Sequence, residues 1–314
     1  MATTTVPTRL PVTAADLAGD ARRRSKERLI KGVFLSAAAL SIAVSVGILV
    51  SVVGNAIHFL TLVRPAQLMQ IDWTPRAGQF GFATLLAGTM IVTVIAMFVA
   101  MPLGMGAAMY LAEYARPRAR RVLKPIVEVL AGIPSVVLGY FALNVISPEF
   151  VQRLFSSATR FNLAAAGIGV GILVTPLVAS VAEDAMFAVP SALREASFGL
   201  GARKRATSLR VVLPAATSGI VAALILGISR AVGETMVVAI AAGATGSAQF
   251  TLNPLHYGQT MTTAMSSLAI GTDAVGGSKA AFPALYFVGL LLFVITFSLN
   301  LIADRFVRRV RERY

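Results

Sequence analysis

Five stretches of this chain pass without a charged residue for about twenty positions or more, a sixth holds only one Arg and one Glu, and that pattern limits what it can fold into. The windows run between Lys31 and Arg64, Arg76 and Glu113, Glu128 and Glu149, Arg160 and Glu183, from Pro214 to about Ala242, and between Lys279 and Asp304. About 20 helical residues at about 1.5 Å each cross the roughly 30 Å of a bilayer's hydrocarbon. In lipid a helix satisfies its own backbone groups. The windows therefore predict an all-α integral membrane protein with six spans. Composition agrees: 56% of residues are hydrophobic and 13% charged, with mean hydropathy +0.77. A soluble domain carries about 25% charge.

The apolar core of the first window is Val33–Val53, and that of the second is near Phe82–Met105. Before the first lies a Thr/Ala/Pro-rich start and then Arg22, Arg23, Arg24, Lys26, Arg28 and Lys31. The run is too long for a signal-peptide core and reads as an uncleaved first span.

Charge sets the topology. The net charge is +14, and of 28 Lys and Arg, 22 fall in one alternating set of segments and five in the other. Cytoplasmic loops collect such residues, so both termini are expected to be cytoplasmic. The expected division is a basic tail over 1–31, a first helix and outer loop over 32–80, a membrane core over 81–304 and a basic tail over 305–314. Two outside segments are long. Residues 54–81 hold the single tryptophan, Trp73, and 243–279 are rich in Gly, Ser, Thr and Ala. Within the latter, Met261–Ile270 reads as an interfacial helix or a re-entrant piece.

Pro102, Pro125, Pro134 and Pro176 lie in or near spans, where proline kinks a helix. Gly167 and Gly171 have the spacing of close helix contact, read as packing within one bundle rather than a dimer seam.

The segment from Pro190 to Pro214 carries most of the functional signal. Ser191 is placed to cap a short helix, with Glu195 near its first turn. Gly199 and Gly201 stop it, Gly201 being suited to the left-handed residue of a C-terminal cap. A basic stretch follows, and Pro214 is expected to open the fifth span. A short, stiff helix outside the membrane, fixed at both ends to spans, suits a lever pushed by a cytoplasmic motor.

These residues resemble the signature loop of ABC-importer permeases: Glu-Ala-Ala, three residues, Gly, nine residues, Ile, one residue, Leu-Pro. Here it reads Glu195-Ala196-Ser197, three residues, Gly201, nine residues, Val211, one residue, Leu213-Pro214. Ser and Val replace the family's Ala and Ile. Gly227 to Met236, with Arg230, Gly233, Glu234 and Thr235, resembles the fifth-span signature of phosphate-specific permeases, and Ile133–Gly139 resembles them too. Glu-Thr-Met favours the PstC-like subunit. The resemblance covers roughly 80–310. It implies a type I ABC-importer permease fold and a coupling helix docking on an ATPase. It also implies a heterodimer with a PstA-like permease, two PstB-like ATP-binding subunits that hold ATP and Mg, and a PstS-like extracytoplasmic phosphate-binding protein.

Arg230 is the one clearly intramembrane cation, and Glu234 follows four residues later. An ionisable residue there costs a few kcal/mol on insertion scales, so it is a functional candidate by default. A guanidinium can offer two parallel hydrogen bonds to a phosphate and never loses its charge. Glu234 can hold Arg230 when the path is empty and weaken binding enough for release. Ser229 and Thr235 can add hydroxyl donors. The competing reading is a structural ion pair.

Nothing suggests catalysis on this chain. With no cysteine there is no thiolate metal site. His58 and His256 lack metal-ligand neighbours. Gly271–Ser278 has Walker-like glycine spacing, but Gly277 stands where the lysine belongs. Glu183-Asp184 is expected to cap a span or meet basic loops rather than act as a paired-carboxylate site. Two rivals remain: a permease of the same architecture for sulfate or molybdate, and a self-contained carrier or membrane enzyme. The second lacks the internal repeats, buried carboxylates or catalytic constellation it needs.

Overall fold

The computed structural model describes residues 21–243, 246–270 and 278–311. The Walker-like spacing over 271–277 and the first twenty residues of the basic tail lie outside the described residues. The chain divides into a unit ending at Ser51 and a second over Val52–Tyr314, which holds every element of the site. Helix α1, Ala21–Leu62, belongs to both, and at 42 residues it runs well past the Val33–Val53 core.

The second unit is built on two long helices, α2 (Phe82–Met109, continued by a wide turn over Tyr110–Tyr114) and α5 (Leu163–Phe187). Glycine lets them close. A β-carbon on Gly167 would sit 2.7 Å from Ile95 Cβ, and one on Gly171 would sit 2.8 Å from the Ala96 carbonyl oxygen. The pair therefore packs within one bundle, as its spacing implies. Val92, Ala96 and Ala100 meet Val170, Val174 and Val178 in the core between them.

Among the described residues four helices are long and apolar enough to cross a membrane: Lys26–Leu62, Phe82–Tyr114, Leu163–Phe187 and Ala281–Arg305. Two windows are not single straight spans. The third bends by 84° between α3 (Pro117–Leu130) and the helix starting at Ser135. Gly132 and Pro134 lie in the turn, and Pro134 cannot continue a helix from α3. Helix α3 is amphipathic, with Arg118, Arg121 and Lys124 set among Val122, Ile126 and Val129. The crossing part is α4, Ser135–Phe141, extended by π-helical turns over Ala142–Val151 and a last turn over Gln152–Leu154.

The fifth window bends by 71° at Ala216, between Lys204–Ala215 and α8, Thr217–Val232. Pro214 thus ends the earlier segment rather than opening the span. Helix α8 stops at Gly233, and the chain resumes helically as α9, Met236–Val238, running on through a π-helical turn to Gly243. Between α5 and Lys204 lies α6, Ser191–Gly199.

At the opposite end from α6, β1 (Trp73–Thr74) and β2 (Gln79–Phe80) form a hairpin whose turn needs the positive φ of Gly78. Phe59 packs edge-on to Phe80 at 5.2 Å and against Phe287 at 5.0 Å. Helix α10, Met261–Ala269, packs on α2 and on α11, Ala281–Arg311, with Met261, Ala264 and Leu268 in the core and Ile270 after it exposed.

Candidate functional site: a broken span and a clamped lever

The centre of the site is the break between α8 and α9. The Gly233 and Glu234 N–H groups donate to the carbonyls of Ser229 and Ala231, which tightens the last turn of α8 and ends it. Glu234 is therefore off the helix. Arg230 Nη1 donates to Glu234 Oε2 at 2.6 Å across the break, so the weaker Arg-then-Glu helical order does not apply. Glu234 Oε1 accepts from the Val237 N–H at 3.3 Å, which puts a carboxylate at the start of α9 where the backbone favours negative charge. The Glu234 carbonyl accepts from Thr262 Oγ1 at 2.8 Å, tying the break to α10.

Exposure separates the two partners. Glu234 is 3% exposed and Arg230 46%. A buried carboxylate needs a partner. The arginine gives one Nη to that need, and its side chain makes no other bond to the described residues.

The other expected path residues divide. The Ser229 hydroxyl donates to Asn300 Oδ1 on α11 at 3.0 Å, so it is already engaged in packing α8 on the last span. Thr235 is half-buried, with one long 3.4 Å contact to the Gly233 carbonyl. The Ile133–Gly139 stretch stands beside the break. A β-carbon on Gly139 would meet the Met236 carbonyl and Ile240 Cβ at 3.1 Å, so glycine lets α4 lie against α9. Next to this seam Val137, Tyr140 and Met236 are exposed.

The second part of the site is α6, the expected lever. Helix α6 takes Pro190 at its N-cap, so Ser191 is its first helical residue and does not cap it. Its C-terminus is as expected. Gly201 has φ +78°, its N–H donates to Phe198 O, and the Ala202 N–H donates to Ser197 O, the double bond pattern of a glycine stop. Ser197 Oγ lies 2.8 Å from Thr207 Oγ1, fastening the helix to the following segment. Glu195 and Ala196 are exposed, as are Leu193, Phe198 and Leu200. Leu213 is half-buried and Pro214 exposed.

Sequence reasoning missed what holds the lever. Arg194 donates from Nε and Nη2 to Glu113 Oε1 at 3.1 and 2.9 Å, and also to the Val189 and Met186 carbonyls that end α5. Glu113 is 4% exposed, and its Oε2 accepts from Ser208 at 3.3 Å. One carboxylate thus joins the end of α2, the lever and the segment after it. Beside it, Glu183 is fully buried and pairs with Arg120 and with Lys124 Nζ (2.7 Å), and Lys124 also reaches Asp184. Glu183-Asp184 therefore meets the basic segment. Among the described residues no group of three or more His, Asp or Glu could hold a metal ion.

Residues 100–312 match the family of binding-protein-dependent transport system inner membrane components. The chain is 32% identical over 261 residues to a probable ABC transporter permease protein, YqgH, of Bacillus subtilis, covering 82% of each chain. It is 30% identical over 296 residues to the phosphate transport system permease protein PstC of Mesorhizobium japonicum, covering 88% of this chain and 89% of that one. Among solved structures, a bacterial ABC transporter involved in the import of the acidic polysaccharide alginate aligns with TM-score 0.58 at 15% identity, over 90% of this chain and 99% of that one. The MetNI methionine ABC transporter in an inward-facing conformation aligns with TM-score 0.51 at 22% identity, over 73% of this chain and 93% of that one. These structural likenesses carry the fold alone, a type I ABC-importer permease fold. On the match over 100–312, the chain belongs to the family of binding-protein-dependent transport system inner membrane components.

Proposed function

We propose that this chain is the membrane-spanning subunit through which an ATP-driven importer carries inorganic phosphate inward across the cytoplasmic membrane. The observation that carries the reading is Arg230: an arginine inside a broken span, half exposed, bonded once to a buried glutamate. The PstC name of several relatives supports phosphate as the cargo.

The chemistry follows from that geometry. Phosphate entering a narrow path loses water, and Arg230 replaces it with parallel charge-assisted hydrogen bonds. Thr235 adds a hydroxyl donor at the break. Glu234 holds the guanidinium in place and lowers the net positive charge the anion meets, so binding stays weak enough for onward passage. Helix α6, with Glu195, Ala196, Ser197 and Gly201, is the lever on which an ATP-binding subunit pushes, and Glu113 passes that push to α2 through Arg194.

A single chain with one such arginine forms half of a path. The reading therefore includes a second, PstA-like permease subunit, two PstB-like subunits that bind and hydrolyse ATP with Mg, and a PstS-like phosphate-binding protein outside. The excess of Lys and Arg in alternate segments supports cytoplasmic termini.

The test is uptake of labelled phosphate by proteoliposomes holding the full assembly, with sulfate and molybdate as competitors. ATP-dependent phosphate uptake that neither competitor blocks is the expected result. Uptake of sulfate or molybdate in place of phosphate would keep the architecture and overturn the cargo.

A further inference from the structure

We propose that Arg160 and the cavity it lines form a second anion site, on the outer side of Arg230, that receives phosphate before the broken span does. This rests on the phosphate reading above. The cavity, about 640 Å³, is lined by Leu143, Arg160, Phe161, Ile240, Gly243 and Tyr257 among others. Leu143 lies one turn beyond Gly139 on α4, and Ile240 and Gly243 end the segment that starts just after Glu234. The cavity thus continues the α4–α9 seam away from the lever.

Arg160 is fixed in place rather than carried on a free loop. Its carbonyl accepts from Ser147 Oγ at 2.6 Å, and Ser147 in turn accepts from Asn162 Nδ2 at 2.9 Å. Both Ser147 and Asn162 are fully buried. The Asn162 N–H donates to the Ala241 carbonyl and the Thr159 N–H to that of Leu255, so the backbone is pinned on both sides of Arg160, once directly to the α9 segment. A buried polar lock around an exposed side chain aims that side chain.

The guanidinium is nearly free. Its one side-chain bond runs from Nη2 to Asn144 Oδ1 at 3.2 Å, a neutral partner. Among the described residues no carboxylate lies within ion-pair distance of it, and the neighbouring Glu149 is taken by Arg153 at 2.6 Å. The Tyr257 hydroxyl on the same cavity has no partner among the described residues, which leaves a second donor.

The two arginines differ in a way that suits passage. Arg160 carries its full charge and concentrates anions in a partly apolar cavity. Arg230 is offset by Glu234 and holds the anion more weakly. Several sites, none of them too tight, allow entry and exit along one path.

The experiment compares native chain, Arg160→Gln and Arg160→Lys in the full assembly in proteoliposomes. Two quantities are read together: labelled phosphate taken up, and ATP hydrolysis stimulated by the phosphate-loaded binding protein. Arg160→Gln is expected to lower phosphate uptake about tenfold, the scale of a lost hydrogen bond to a charged group, with stimulated hydrolysis kept. Arg160→Lys is expected to recover part of the uptake. Native uptake by Arg160→Gln overturns the outer site and leaves the phosphate reading standing. Equal loss of uptake and of stimulated hydrolysis overturns it too, by making Arg160 a docking contact for the binding protein. A native assembly that moves no phosphate removes the reading on which the site rests.

Discussion

The α6 end and the broken span each hold an arginine against a buried carboxylate, yet the two pairs are built differently. Arg194 uses Nε, Nη1 and Nη2, on Glu113 and on two carbonyls, and is 19% exposed. Arg230 uses one nitrogen, on Glu234, and is 46% exposed. A guanidinium with four of its five N–H donors taken is a rivet. One with unused donors and open space is available to a ligand. The same chemistry becomes structure or function according to how many donors the surrounding backbone takes up.

The largest effect on stability belongs to the rivet. Arg194→Ala strips Glu113 of its cation and removes a donor from each of the Met186 and Val189 carbonyls at the end of α5. It is expected to cost about 3 kcal/mol, as for a buried pair broken on one side, seen as a lower thermal midpoint in detergent. A change of a few tenths would erase the contrast between the pairs.

Gly201→Ala comes next. It forces a side chain onto φ +78° at the end of α6 and is expected to cost about 1 kcal/mol. The effect should appear as weaker co-purification of the ATP-binding subunit, with α2 and α5 intact by protease resistance.

Ser229→Ala sharpens the comparison at the broken span. It loses the bond to Asn300 and is expected to cost about 0.5–1 kcal/mol, with phosphate uptake within about twofold of native. A loss of uptake comparable to that of Arg230→Gln would place Ser229 on the path after all. Glu234→Gln tests the pair from its buried side. It keeps one of the two acceptors that serve Arg230 and the Val237 N–H and removes the negative charge, so phosphate should bind more tightly and leave more slowly. Half-saturating phosphate should fall together with the maximal rate.

The apolar windows found the four long helices and the two bent pairs, because a bilayer leaves few alternatives. They could not show the bends at Ala131–Pro134 and Ala216 or the break at Gly233–Thr235, since these interrupt helices without enough charge to end a window. Gly201 and the α6 stop were legible because a positive φ demands a particular residue. Arg230 and Glu234 were legible because charge is costly in lipid. Glu113 and Arg194 were not: 81 residues separate them, and neither has a local signal. Asn300 left a trace, a lone amide in the last apolar span, whose partner only the fold supplies.

The most direct measurement is phosphate uptake by the full assembly carrying Arg230→Gln, with co-purification of the ATP-binding subunit and thermal midpoint read on the same sample. The expected result is uptake reduced about a hundredfold, the scale of removing a charge-assisted anion contact, with the assembly intact and the midpoint lowered by less than in Arg194→Ala, because the glutamine amide can still donate to Glu234. Native-level uptake with an intact assembly would contradict the account and make Arg230–Glu234 a structural pair like Arg194–Glu113.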